Sequence, residues 1–143
     1  MRDGFTLLEV LLTVALVTIL AGIGVPIYQS FQARNDLDVT VNVVVQNLRR
    51  AQMLSQAVAS DTSWGVNIGT SSVILFKGPS FAARDGSYDE IFDISSKLTV
   101  SGISEYVFSK LQGLPQPFGT TTLISVTNET RMITVNSKGT LDY

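Results

Sequence analysis

Hydrophobic and polar positions follow three rhythms along the chain. From Phe5 to Tyr28 nearly every position is apolar, and the eighteen residues from Val10 to Ile27 carry no charge. That is enough to cross a bilayer core as a helix. From about Ser30 to Ala59 the rhythm turns amphipathic. Leu37, Val41, Val44, Leu48 and Ala51 recur at four- and three-residue steps, the spacing of one helix face, and Val58 extends the stripe. Arg34, Asp36, Asn42, Gln46, Arg49 and Arg50 fall largely off it. Gly22 and Gly24 are poor helix formers, and Pro26 has no N–H to give the carbonyl of Gly22. This predicts a kink or local melt over residues 22–26 rather than a stop, since helical periodicity resumes beyond it. A single helix from Phe5 to Val58 would be about 80 Å long at 1.5 Å per residue, a rod rather than part of a small globule.

Ser60-Asp61-Thr62-Ser63 supplies turn-forming residues, and the rhythm then changes to period two. Strands are expected at Trp64–Ile68, Val73–Lys77, Ile91–Ile94, Leu98–Ser101, Tyr106–Leu111, Thr121–Val126, Arg131–Asn136 and Thr140–Tyr143. Turn signals separate them at Gly69–Ser72, Gly78-Pro79, Asp85-Gly86-Ser87, Gly113–Gly119, Thr127–Thr130 and Ser137-Lys138-Gly139. The fold class is therefore α+β: a long N-terminal helix, half transmembrane and half amphipathic, with a C-terminal antiparallel β head. The division is a leader at 1–4, a transmembrane and assembly helix at 5–29, an amphipathic helix at 30–60 and a β-rich head at 61–143. A head of that size has a modest core alone, so its docking on the helix should matter.

Composition then removes whole classes of chemistry. The 143 residues include no cysteine and no histidine. Thiolate and imidazole chemistry is absent, and with it the usual zinc sites, Cys–His pairs and Ser–His–Asp triads. No GxSxG, SxxK or phosphate-cradling glycine loop appears. The reading is a structural protein without cofactor, not an enzyme. From Asp61 onward six Lys/Arg face eight Asp/Glu, so the head has no electrostatic reason to hold nucleic acid.

Glu9 breaks the apolar run close to its start. A carboxylate placed in a membrane helix costs roughly 2.5–3.5 kcal/mol on insertion scales, so one kept there needs a counter-charge. The surrounding residues, Gly4-Phe5-Thr6-Leu7-Leu8-Glu9, resemble the processing site of type IV pilins and type II secretion pseudopilins, and Pro26 and Tyr28 fall where that family places a proline and a tyrosine. The resemblance covers residues 4–31. It implies that a membrane-embedded prepilin peptidase cuts after Gly4 and N-methylates Phe5. It also implies that Glu9 of one subunit pairs with the Phe5 amine of a neighbour during assembly. Asp3 stands where the family usually has a basic residue. The implied partners are other pilin or pseudopilin subunits, the peptidase and an assembly platform in the cytoplasmic membrane. The implied location is that membrane, crossed once with the head outside, and then a periplasmic or extracellular filament.

The head is similar to the GspH/FimT-type minor pseudopilins. Trp64-Gly65-Val66-Asn67-Ile68 resembles their opening strand. Tyr106-Val107-Phe108, Gly113-Leu114-Pro115 and Ile133-Thr134-Val135-Asn136 resemble their tail. Trp64 itself reads as core. Some members bind DNA through a basic C-terminal loop, but Ser137–Tyr143 here holds one Lys and one Asp, so DNA uptake is not carried over. An adhesive or DNA-binding pilin is the alternative function. Asp85, Asp89, Glu90 and Asp93 read as a solvated acidic loop ahead of a calcium site. Arg49-Arg50 reads as a solvated helix face, and Asn128-Glu129-Thr130 as a turn. The loops Gly113–Gly119 and Asp85–Ser87 are the expected contact surfaces.

Overall fold

The computed structural model describes residues 4–143, and for residues 23–26 the backbone alone. One helix, α1 (Leu7–Gln56), is followed by a single 3₁₀ turn (Ala59–Asp61) and nine strands. These are β1 (Trp64–Ile68), β2 (Ser72–Lys77), β3 (Asp85–Asp93), β4 (Thr99–Gly102), β5 (Glu105–Phe108), β6 (Pro115–Gln116), β7 (Gly119–Ile124), β8 (Thr130–Val135) and β9 (Leu141–Asp142). Fifty residues of α-helix extend about 75 Å. All pairings are antiparallel, in two sheets of order β3-β2-β1-β5-β6 and β4-β7-β8-β9. This is the expected α+β, pilin-like arrangement of a long helix under an antiparallel head.

The amphipathic stripe docks that head. Leu37, Val44, Leu48 and Ala51 are fully buried, and Val41 nearly so, against Val66, Ile68, Val73 and Leu75 of the first sheet and Leu123, Ile133 and Val135 of the second. Ser55, not Val58, is the last buried residue of the stripe. The helix ends at Gln56, short of Ala59, because Val58 takes a left-handed conformation (φ 53°). Ser55 holds the turn that follows. Its hydroxyl accepts the Trp64 N–H at 2.9 Å, and its carbonyl accepts the Leu111 N–H at 3.1 Å. Trp64 is buried as expected, with its indole Nε1 donating to the Ala59 carbonyl at 3.0 Å.

Two turn readings are corrected. Asp85-Gly86-Ser87 opens β3 rather than a loop, with Asp85 opposite Lys77 across a bulge. The stretch Gly113–Gly119 contains β6, which pairs Val107 with Gln116 and Phe108 with Pro115, and its last residue opens β7. At Gly65 any side chain would strike the Phe76 ring and, 2.8 Å away, the Tyr106 carbonyl oxygen. Only glycine lets β1 pass between β2 and β5 there.

Tyr106 joins the sheets. It is fully buried, and its hydroxyl lies 3.2 Å from the Gly119 carbonyl oxygen and 2.8 Å from Thr121 Oγ1, which also reaches the Ile103 carbonyl. Burial pushes the phenol above its ordinary value of 10.0, and the Thr121 contact opposes this only partly. Below that ordinary value Tyr106 is neutral folded or unfolded and adds no pH dependence. Above it the unfolded chain releases a proton that the fold retains, so stability falls with rising pH. Denaturation midpoints taken between pH 9 and pH 11 should decline more steeply for the native chain than for Tyr106→Phe; parallel curves would remove Tyr106 as the cause.

Candidate functional site

The N-terminal end of α1 brings the candidate processing residues together. Gly4, Phe5 and Thr6 precede the helix and are exposed, Phe5 at 82%. Thr6 is extended (φ −77°, ψ 151°) and is the N-cap. Its Oγ1 accepts the Glu9 N–H at 3.3 Å, and its carbonyl accepts the N–H groups of Glu9 and Val10 at 3.1 and 3.2 Å. The Gly4–Phe5 bond thus lies on open, non-helical backbone next to a fixed helix start, and nothing stands within 4 Å of the Gly4 α-carbon's side-chain position.

Thr6 was not singled out from the sequence as a positioning residue, although Thr6-Leu7-Leu8-Glu9 has the T-x-x-E spacing of a capping box. Only half of the box forms. The threonine captures the Glu9 N–H, while the Glu9 carboxylate makes no hydrogen bond or ion pair among the described residues. It stands exposed in the first turn, where the unpaired N–H groups of the helix favour negative charge. The first turn therefore presents a carboxylate whose backbone is fixed by Thr6 and which no described residue neutralises.

The helix beyond it suits lipid or other helices. Leu7, Leu8, Leu11, Leu12, Val14, Leu16, Val17, Ile19 and Leu20 are all exposed, and α1 is long and apolar enough to cross a membrane. The two threonines in this stretch bond back into the helix: Thr13 to the Val10 carbonyl at 2.8 Å and Thr18 to the Val14 carbonyl at 2.7 Å. Their hydroxyls need no water, as an apolar medium requires. The backbone is helical through residues 22–26. Gly22 meets nothing within 4 Å, and the side chains of residues 23–26, Pro26 among them, lie outside the described residues, as do Met1, Arg2 and Asp3 of the leader.

Residues 1–25 match the family model described as the prokaryotic N-terminal methylation motif. The motif covers the Gly4–Phe5 junction and Glu9, and it supports a type IV pilin-like subunit that a prepilin peptidase processes and that assembles with other pilins. With the motif at its start, the exposed apolar helix is consistent with membrane anchoring and a filament. No curated protein and no solved structure matches the chain.

In the head, the acidic residues near position 90 form strand β3 and not a loop. Asp89 pairs with Arg84 at 2.7 Å, and Glu90 takes both terminal nitrogens of Arg50 at 2.6 Å. The Ser87 hydroxyl, and then its N–H, hold the exposed Asp85 carboxyl below its ordinary value. Successive strand residues face opposite sides, so Glu90 points away from Asp89. Among the described residues no three possible metal ligands converge. Arg50 is thus a clip from α1 to β3 rather than a free cation, and Arg49 reaches the Tyr143 hydroxyl at 3.2 Å. Two further ion pairs tie α1 to β8 and the turn before it: Arg34 to Glu129 at 2.8 Å and Asp38 to Arg131 at 3.1 Å. Asn128-Glu129-Thr130 spans that turn, with Asn128 left-handed at φ 59°.

Proposed function

We propose that the chain is the precursor of a minor pilin or pseudopilin, a structural subunit of a type II secretion pseudopilus or type IV pilus. The observation that carries this is a carboxylate, Glu9, that pairs with none of the described residues, on the first turn of an exposed apolar helix that starts two residues after Phe5. Cleavage after Gly4 would create a cationic amine at Phe5, which methylation preserves. An acid and a cation, each costly alone in an apolar filament core, offset one another when contributed by neighbouring copies. The subunit crosses the cytoplasmic membrane once with its head outside before assembly. Prepilin peptidase and the assembly platform are its partners, and residues 113–119 and 85–87 are its contact surfaces. The opening strand Trp64–Ile68 and the pairing of β5 with Pro115 are compatible with the GspH/FimT-type head.

Mass spectrometry of the mature N-terminus from cells carrying a prepilin peptidase tests this. The expected product starts at N-methyl-Phe5. An intact Met1, or a start after Ala21, would point to a plain anchor or a secretory signal instead.

A further inference from the structure

Where α1 emerges from the head, the helix and two loops enclose a cavity of about 470 Å³. Gln29, Gln32, Ala33 and Asp36 form its helical wall; Lys97, Leu98 and the Ser125–Thr127 turn form the other, so the lining is more apolar than polar. It holds one charge of each sign, and they do not pair. Lys97 makes no ion pair among the described residues. Asp36 accepts the Ser95 hydroxyl at 2.9 Å through Oδ2, and its other oxygen makes no hydrogen bond among them.

The depth of this cavity follows from the reading of the stem as membrane-spanning, on which the inference rests. The uncharged run ends at Ile27, and Tyr28 and Phe31 are 70% and 74% exposed, as aromatics at a lipid–water boundary are. Gln29 to Asp36 then lie roughly 1.5–12 Å beyond Tyr28 along the axis. The headgroup layer of one leaflet is roughly 5–7 Å thick, so the mouth of the cavity meets that layer. The occupant that suits this lining has a cation to face Asp36, an anion to face Lys97 and an apolar part to lie against Ala33, Leu98 and Val126.

We propose that this cavity seats the phosphoethanolamine headgroup of a membrane lipid while the subunit waits in the bilayer. The Lys97 ammonium takes the phosphodiester, and Asp36 accepts from the primary ammonium. The Gln29 and Gln32 amides and the Thr127 hydroxyl supply further polar contacts. A trimethylated headgroup has no N–H to give Asp36, and a glycerol headgroup has no cation. Assembly would have to draw the lipid out or leave it behind.

The test uses the full chain in nanodiscs of equal parts phosphatidylethanolamine, phosphatidylcholine and phosphatidylglycerol with matched acyl chains. Native mass spectrometry reads the lipid that stays bound on release. The ethanolamine lipid should be retained about tenfold over the choline lipid, the factor that 1.4 kcal/mol supplies. Lys97→Ala should lower retention of all three lipids, Lys97→Arg should keep it, and Asp36→Asn should lose discrimination against the choline and glycerol lipids. Equal retention of all three lipids by the native chain, unchanged retention by Lys97→Ala, or an unchanged ratio in Asp36→Asn, would overturn the proposal. So would crosslinks showing the cavity filled by a second copy. Alkaline carbonate extraction separates the two layers of the argument. A chain that stays embedded without lipid preference sinks this inference alone, whereas a chain that washes out sinks the membrane reading with it.

Discussion

Glu9→Gln and Glu9→Ala precursors are expected to be cut after Gly4 and N-methylated like the native chain, yet to enter filaments at least roughly tenfold less. The reasoning starts at Thr6. Its side chain and carbonyl hold the Glu9 and Val10 N–H groups, so the helix start does not depend on the carboxylate. Removing the charge therefore leaves the cleavage site's conformation intact. What it removes is the counter-charge for the Phe5 amine of a neighbour. That amine also sits at the positive end of its own helix, so its own chain gives it no relief. Left unpaired in an apolar core it costs several kcal/mol, and 1.4 kcal/mol already corresponds to a factor of ten. Gln preserves size and polarity, so it separates charge from shape. Quantifying the mature subunit in sheared filaments and in the membrane fraction checks this; native-like recovery of Glu9→Gln in filaments would mean that pairing does not drive assembly.

Leu48→Ala should be strongly destabilising. Leu48 is fully buried in the core cluster that α1 shares with both sheets. Buried Leu→Ala changes cost about 2–5 kcal/mol, depending on how far the site collapses. For a domain of this size each kcal/mol moves the melting midpoint by roughly 4–8 °C, so a drop of roughly 10 °C or more is expected. Val39→Ala is the control. Val39 is 52% exposed on the same helix, and surface changes usually stay within about 0.5 kcal/mol. Thermal melts of the full chain in detergent, followed by near-ultraviolet circular dichroism at Trp64, compare the two. Similar midpoints for both variants would show that the head does not rely on the helix for its core.

The stripe from Leu37 to Ala51 was legible because burial on one helix face leaves a periodic trace in sequence. Strand β1 was legible to the residue, since Ser63 and Gly69 bound an alternating run. The helix end was not. Val58, Ser60 and Asp61 all adopt positive φ, which tertiary contacts around Ser55 and the Lys110–Asp61 pair hold in place and no local propensity announces. Strand β3 was missed at its start because Asp85-Gly86-Ser87 has the composition of a turn. Its pairing with β2 across a bulge, and the Arg50 clip to Glu90, override that composition. At the candidate processing site, Gly4, Phe5 and Glu9 stand out in the sequence as a short motif. The role of Thr6 lay in the same six residues, but its caps become visible only once the first turn is drawn.

Ser55 gives the molecule a fixed gauge. One residue at the top of the rod holds the first strand by its hydroxyl and the loop after the fifth by its backbone carbonyl. Adding or deleting a single residue between Ala33 and Ser55 would swing that serine about 100° around the axis. Both attachments would come away together. Below Gln29 no such gauge operates, since no hydrogen bond or ion pair joins the described residues of the stem there to the head. Relatives of this chain should therefore vary in rod length only beneath that point.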